Sequence, residues 1–297
     1  MIGYRYLYGL EEGSMLHGDR AIPDENLIRQ ACNGLPCRYR PGSMAMQMHM
    51  LDIMYAPTDW LSLMLMPQFM DMDMNLEQLA GAPPDDSGSH VHNGPRHHAT
   101  GGVGDTGLYA LVKLLDTPRH HWQAGLGFSA PTGRVDSKVH GESQLTHYGM
   151  QLGSGTWDFR PSLTYTGQED RWFWGAQVTG IQRMENRNAS GYRLGHVLQS
   201  STWGGYRLLD SVSATVRGVH TLQNALNGHY LGPHEQSGPM DFPDNYGGQY
   251  WDIGLGLNVS LAGHSLGVEW LQPVEDAVNG YQMERTGSLY ATWNLPL

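Results

Sequence analysis

Positive charge, phenylalanine and cysteine are all scarce in this chain. Its 297 residues include 18 Lys plus Arg against 29 Asp plus Glu, and the formal net charge is -11. Because proteins hold nucleic acids by matching Lys and Arg to phosphates, this balance excludes nucleic acid as the expected partner. Charged residues make up only 16% of the chain while glycine reaches 39 residues, which is a poor composition for amphipathic soluble helices. The composition favours strands and turns.

Long apolar runs are also missing. No stretch of about 18 consecutive apolar residues occurs, so the sequence predicts no transmembrane helix. A membrane protein without such a helix has to be a closed β-barrel, because every backbone polar group in lipid must be bonded within the protein. The 9 Trp and 15 Tyr against 5 Phe favour this class, since Trp and Tyr rings carry a polar atom and collect at membrane interfaces.

Cysteine occurs only twice, as Cys32 and Cys37. Such a pair is either a thiol site for metal or redox chemistry, or a small disulfide that closes a loop outside the cytoplasm, and the disulfide is favoured. The N-terminal segment, beginning Met1-Ile2-Gly3-Tyr4, has no basic region followed by a hydrophobic core. We therefore expect an export signal to have been removed from this sequence.

Apolar and polar residues alternate in segments that recur at regular intervals, which indicates strands rather than helices. Between residues 289 and 297, for example, every second residue is apolar. Segments 251–259 and 266–270 alternate in the same way on either side of Ala262-Gly263, which is typical of a hairpin. The predicted strands are 2–10, 44–55, 60–74, 108–114, 122–128, 159–165, 172–178, 192–208, 212–220, 251–259, 266–270 and 289–297.

These twelve strands predict an all-β fold, a transmembrane antiparallel up-and-down β-barrel that forms one domain over residues 1–297 in the bacterial outer membrane. Short connections alternate with long ones, and in such barrels the short turns are periplasmic and the long loops extracellular. The six long loops are predicted at 11–37, 76–103, 131–144, 184–190, 221–246 and 273–281. A soluble β-sandwich also has alternating strands, but it does not explain the regular alternation of loop length.

Three motifs resemble a family of Gram-negative outer-membrane proteins. They are Gly104-Asp105-Thr106-Gly107, Ala130-Pro131-Thr132-Gly133, and the segment 149–159 followed by Pro161 and Leu163-Thr164-Tyr165. The family is named for a role beside phenol meta-cleavage pathways and is often labelled a transporter. The resemblance covers the chain from about residue 40 onward. It implies a barrel and uptake of small apolar or aromatic molecules, and it brings no catalytic residues.

Methionine is the unusual residue type, and most of the 16 methionines fall between residues 44 and 74. They alternate with residues such as Leu51 and Ile53, and they share one side of the strand with Asp52, which we do not expect to face lipid. We therefore expect them to point into the lumen, in two rows side by side across a hairpin. The predicted lumen-lining residues are Met44, Met46, Met48, Met50, Asp52, Met54, Met64, Met66, Met70 and Met72.

Thioethers are soft, neutral ligands suited to Cu(I) and Ag(I), and imidazoles in the adjoining loop would add ligands for copper or zinc. The first hypothesis is thus an outer-membrane conduit for Cu(I) or Ag(I). Its predicted ligands are Met48, Met50, Met64, Met66, His90, His92, His97 and His98.

Two other interpretations stay open. Methionine is a flexible hydrophobe, so a methionine-lined lumen equally suits passive diffusion of small hydrophobic or aromatic molecules. Alternatively the methionines are packing for a plugged barrel with a structural or docking role. Charged residues of lumen parity, such as Glu269 and Arg285, are expected to pair or to form a charged constriction. No nucleophile elbow, phosphate loop or zinc hydrolase motif occurs, so no enzyme is predicted. The partners expected are outer-membrane lipid and the cargo, and no periplasmic partner can be identified.

Overall fold

The computed structural model describes residues 1–83, 96–139 and 143–296. A helix α1 (Asp24–Gln30) and three short 3-10 turns (Tyr148–Met150, Pro239–Asp241, Pro243–Asn245) occur within them. The strands are β1 (Ile2–Gly18), β2 (Arg20–Ile22), β3 (Tyr39–Thr58), β4 (Leu61–Met66), β5 (Gln68–Gln78), β6 (Arg96–Val103), β7 (Thr106–Asp116), β8 (His120–Ala130), β9 (Asp158–Glu169), β10 (Trp172–Arg183), β11 (Tyr192–Arg193), β12 (Val197–Leu209), β13 (Val212–Gln223), β14 (Asn227–Gly228), β15 (Gly248–Leu261) and β16 (His264–Leu295).

The sheet closes on itself because β1 pairs with a strand on each side. Ile2 lies opposite Leu295 of β16 and opposite Ile53 of β3, and both pairings are antiparallel. Eleven strands form the closed ring, in the order β1, β16, β15, β13, β12, β10, β9, β8, β7, β4 and β3. Closure removes the free sheet edges, which is what a strand wall in lipid requires.

The last strand, β16, contributes two segments to this wall. Its first half pairs with β15 and its second half pairs with β1. Trp293 donates from Nε1 to Nδ1 of His264 at 3.1 Å, and a Cβ on Gly267 would lie 2.7 Å from Oγ1 of Thr292. The two halves are therefore neighbours, and the chain folds back near Gly280, whose φ of +58° a glycine adopts without strain. Counted this way the wall has twelve segments, and the predicted twelve-stranded barrel is confirmed.

Several predicted boundaries need correction. The strand expected at 60–74 is broken at Pro67, which has no amide hydrogen for the ladder, into β4 and β5. The loop expected at 11–37 begins later because β1 continues to Gly18, and the loop expected at 76–103 begins after Gln78 and ends before Arg96. Residues 273–281 belong to the fold-back of β16, so this connection is tight rather than long.

Apolar side chains cover the outside of the wall. Leu51, Ile53 and Tyr55 are exposed while Asp52 between them is buried, as the alternation predicts. Trp60 and Trp172 are 55% and 60% exposed beside the short turns, where a membrane interface would place them. The barrel belongs in the outer membrane, and the predicted location is confirmed. No helix in the described part of the chain is long and apolar enough to span a membrane.

Above the apolar band, the outer side of β3, β5 and β6 becomes polar. Gln47, Asp71, Asp73 and Asn75 are exposed there, and His97 of β6 lies 2.5 Å from the carboxylate of Asp73. Strand β3 is long, with 20 residues against 11 in β8, and its upper half pairs with β5. The wall therefore extends further beyond the membrane on this side.

The segment between β1 and β3 folds into a small cap. Cys32 and Cys37 form a disulfide with Cα atoms 5.5 Å apart just after α1. Both cysteines, with Leu27 of α1, pack against Leu79 and Phe242 in one buried apolar cluster. The cap thus joins three extracellular segments of the chain.

Candidate functional site

Two rows of methionine face each other on the inner wall, as the hairpin register requires. In the pairing of β3 with β5 and β4, methionine stands opposite methionine at four positions, namely Met44 and Met74, Met46 and Met72, Met48 and Met70, and Met54 and Met64. Directly opposite residues on one face of an antiparallel pair have β-carbons about 4.5 to 5.5 Å apart. This register places the two methionine rows side by side.

Extracellular loops fold inward onto the upper end of these rows. Met150 and Leu152 of the loop before β9, and Met240 of the loop before β15, pack against Met72 and Met74 in one buried cluster. Only 3% of Met72 and 5% of Met74 is exposed. At this level the thioethers are part of a packed core between wall and loops.

An ion pair lies at the lower end of the methionine rows. Arg5 donates from Nε and Nη2 to the two carboxylate oxygens of Asp52, at 2.7 and 2.6 Å. The same guanidinium lies 3.3 Å from the sulfur of Met66. The interior therefore holds Asp52 by a bidentate pair, the geometry that compensates best for burying a carboxylate.

Between the two levels lies a cavity of about 580 Å³ under the inward loops. The thioether part of its wall comes from Met44, Met46, Met74, Met240 and Met283. The polar and aromatic part includes Arg217, Tyr250, Asp252, Arg285 and Tyr290. The wall thus combines apolar and charged groups, and the volume of the cavity lies in the range of pockets that hold one small organic molecule.

The polar wall is a set of ion pairs. Arg285 lies 3.0 Å from Asp252 and also pairs with Asp276, and Arg217 pairs with Glu269. Glu269 was expected to pair with Arg285, but β13 places Arg217 beside it instead. The guanidinium carbon of Arg285 is 4.6 Å from the centre of the Tyr250 ring, within reach of a cation–π contact.

Two of the histidines expected to bind metal, His97 and His98, do not act together. His97 and His98 are adjacent on β6, so their side chains leave opposite faces, His97 toward Asp73 outside and His98 toward His147 inside. Their predicted ligation of one ion is wrong for this reason. His90 and His92 lie outside the described residues. Within the described ranges, no group of three or more His, Cys, Asp and Glu side chains is arranged to hold a metal ion.

A buried chain of three polar side chains joins the inward loops to the wall. His98 of β6 is hydrogen-bonded through Nδ1 to Nε2 of His147 at 2.9 Å, and His147 donates from Nδ1 to Asp241 at 2.6 Å. The amides of Ser237 and Gly238 donate to the same carboxylate, both at 2.9 Å. Burial alone would raise the pKa of Asp241, but His147 and the two amides outweigh burial, so this pKa lies below its usual range.

No sequence signal identifies this hydrogen-bonded set of side chains, because its members lie far apart in sequence and belong to three different segments.

A second buried cluster could have been predicted from the sequence. The carboxylate of Asp105 accepts from the amide of Gly133 at 3.0 Å and from the amide and hydroxyl of Ser154 at 2.7 and 2.9 Å. These three residues belong to the three motifs that carry the family resemblance, so those motifs describe one junction between the wall and a loop.

A tyrosine cluster fills the space beside this junction. The rings of Tyr148 and Tyr230 stack with centroids 4.1 Å apart, and Tyr192 meets both edge-on. Burial raises the pKa of the Tyr230 phenol well above its usual range, so the group stays neutral and donates to the carbonyl of Thr146 at 3.0 Å. The inward loops therefore have a packed core of their own.

A closed antiparallel barrel with an apolar exterior, short turns at one end and inward-folded loops at the other defines a bacterial outer-membrane β-barrel protein. The chain belongs to the family described as "Putative MetA-pathway of phenol degradation", whose model matches residues 49–290. The family resemblance found in the sequence is thereby confirmed.

Solved structures share the fold. The COG4313 outer-membrane channel of Pseudomonas putida F1 is 16% identical, with a TM-score of 0.62 over 98% of this chain and 93% of that one. The transport unit of the autotransporter AIDA-I from Escherichia coli is 8% identical, with a TM-score of 0.53 over 100% of this chain and 90% of that one. No curated protein sequence matches this chain.

Proposed function

We propose that the protein is a passive outer-membrane channel that admits small hydrophobic or aromatic molecules through its lumen. The observation that carries the proposal is the cavity of about 580 Å³, because it lies directly below the inward loops and has a thioether wall. Methionine presents a flexible apolar surface that adapts to cargo of different shapes. The family description, which names phenol degradation, supports aromatic cargo, and the Pseudomonas protein with the same fold is an outer-membrane channel.

A variant that fills the cavity tests whether cargo passes through it. Gly9 lines the cavity, and a Cβ on it would meet its nearest neighbours, Ser288 and Met46, at 3.7 and 3.8 Å, so a side chain can start there without strain. Gly9→Phe should lower uptake of labelled toluene or phenol several-fold in cells whose outer membrane contains the protein. Gly204→Phe is the matched control, because this exposed glycine of β12 has no atom within 4 Å of its Cβ position. Equal uptake by Gly9→Phe and the native chain would contradict the proposal.

A soft-metal conduit is the second candidate, favoured by one observation. The sulfurs of the wall and loops gather in one cluster, which includes Met44, Met46, Met70, Met72, Met74, Met150 and Met240. Thioethers from several segments are the ligand type that Cu(I) and Ag(I) prefer. Titration of the purified protein with Ag(I), beside a variant with Met44, Met46, Met48, Met50, Met64, Met66, Met70 and Met72 changed to leucine, separates the candidates. Metal binding lost in the variant would favour the conduit, whereas an organic-cargo channel should bind no metal in either form.

A further inference from the structure

At one end of the cavity, carboxylates outnumber the cationic side chains that could neutralise them. Arg285 is paired with Asp252 and Asp276, and Glu11 of β1 stands opposite Arg285 in the pairing of β1 with β16. Three carboxylates therefore surround one guanidinium. The neighbouring Arg217 adds no surplus of positive charge, because Glu269 neutralises it.

Glu11 is the acidic residue at this end that is not tied to an arginine. Its side chain lines the cavity, and in the described part of the chain it forms no hydrogen bond and no ion pair within 4 Å. The β1–β16 register shifts on both sides of Glu11, between Leu10 and Glu11 and again before Met15, which marks a bulge. Bulges re-aim a side chain, and they occur often beside functional sites. The bulge thus places a carboxylate without a partner at the cavity wall.

The rings near this carboxylate also suit a cation. Tyr250 and Tyr290 line the same cavity, and each lies under a guanidinium, Arg285 at 4.6 Å and Arg217 at 5.8 Å from the ring centre. Aromatic faces attract cations, and the attraction grows where water is partly excluded. Met44, the direct partner of Glu11 in the pairing of β1 with β3, and Met46 offer thioethers to an apolar body beside this carboxylate.

We propose that the cavity binds small aromatic or alkyl amines in their protonated form, with the ammonium group at Glu11 and the apolar body on the methionine wall. The inference rests on the proposed channel function and narrows its cargo. It also means that a carboxylate-bearing molecule of the same size is rejected, since its charge would meet Glu11 and the acidic partners of Arg285. A neutral alcohol should bind between these two extremes.

Three probes that share one ring test the charge preference, namely benzylammonium, benzyl alcohol and benzoate. Binding to the purified protein in detergent is measured by calorimetric titration at about pH 8, because burial raises the pKa of the Glu11 carboxyl to about 7 and the group is ionised above that pH. We expect benzylammonium to bind about tenfold more tightly than benzyl alcohol, the ratio typical of one charge-assisted contact, and benzoate to bind most weakly. Glu11→Gln should lower the affinity for benzylammonium to that for benzyl alcohol and leave the affinity for benzyl alcohol unchanged. Glu11→Asp should keep the preference for benzylammonium.

Glu12→Gln is the matched control, because Glu12 is the next residue of β1, is exposed and does not line the cavity. It should leave all three affinities unchanged. Equal binding of amine and alcohol by the native chain, a preference that survives Glu11→Gln, or no binding of any probe would overturn the inference. The proposed channel function is decided separately, by whether Gly9→Phe lowers the uptake of a neutral aromatic molecule.

Discussion

Single side chains hold the inward loops in place, and Asp105 shows how much depends on one of them. Its carboxylate receives donors from Gly133 and Ser154, and all of these groups are buried. Asp105→Ala leaves those donors without an acceptor and should lower the free energy of unfolding by about 2 to 3 kcal/mol. Urea unfolding of the protein in lipid measures the change.

The control for this prediction lies in the loop that supplies Gly133 and Ser154. Asp136 is exposed, and among the described residues its one ion pair is with the exposed Arg134, at 3.2 Å. Because such surface pairs contribute about 0 to 1 kcal/mol, Asp136→Ala should leave unfolding nearly unchanged. A similar loss of stability in both variants would show that Asp105 has no special part in the junction.

At the scale of elements, the cap built from α1 and the disulfide packs on the upper end of the wall, against Met15 of β1 and Met283 of β16, while the bridge closes only the cap's own segment. The bridge spans only five positions, and closing so short a loop stabilises the folded state by about 2 kcal/mol. The double variant Cys32→Ser/Cys37→Ser should therefore lose protection against hydrogen exchange at the amides of Ala31 and Cys37, which bond to Leu27 and Ile28. Exchange in β9 and β10, which lie away from the cap, should not change, and equal loss in those strands would contradict a local effect of the bridge.

How much of the structure could be predicted from the sequence also differs between elements. The strands, their inner and outer faces and the methionine register were predictable, because alternation of period two and a short hairpin turn determine them locally. The ends of β1 and β5 were not, since these strands become polar on their outer side where they leave lipid, as at Glu12 and Glu77, and a polar stretch resembles a loop. The inward packing of Met150 and Met240 depends on contacts between distant segments, which no local pattern encodes.

For the whole molecule, the inward loops should lose structure in acid before the barrel strands do. Asp241 has a folded-state pKa below that of an unfolded carboxyl, which is about 4. Its contribution to stability is therefore complete above that pH and is lost as the pH falls through the folded-state value. Below about pH 4 the loop 224–247 should lose protection against hydrogen exchange before the strands do, by about tenfold for each unit of pKa shift.

Two variants check that Asp241 causes this acid response. Asp241→Asn should show a weakly protected loop already at neutral pH and no acid step. Asp244→Asn changes an exposed carboxyl three positions away and should keep the native response. An acid step that persists in Asp241→Asn would assign the response to another group.

Because its strands differ in length, the extracellular rim of the barrel is higher on one side than on the other. At about 3.3 Å per residue and a tilt of about 40°, the 20 residues of β3 rise about 50 Å, whereas the 11 of β8 rise about 28 Å. The apolar band of such barrels is only about 25 Å tall. The rim of the hydrogen-bonded wall is therefore inclined rather than level, with its low side at β8. A molecule that diffuses along the membrane surface therefore meets an extended polar wall on the side of β3 and a lower rim on the side of β8.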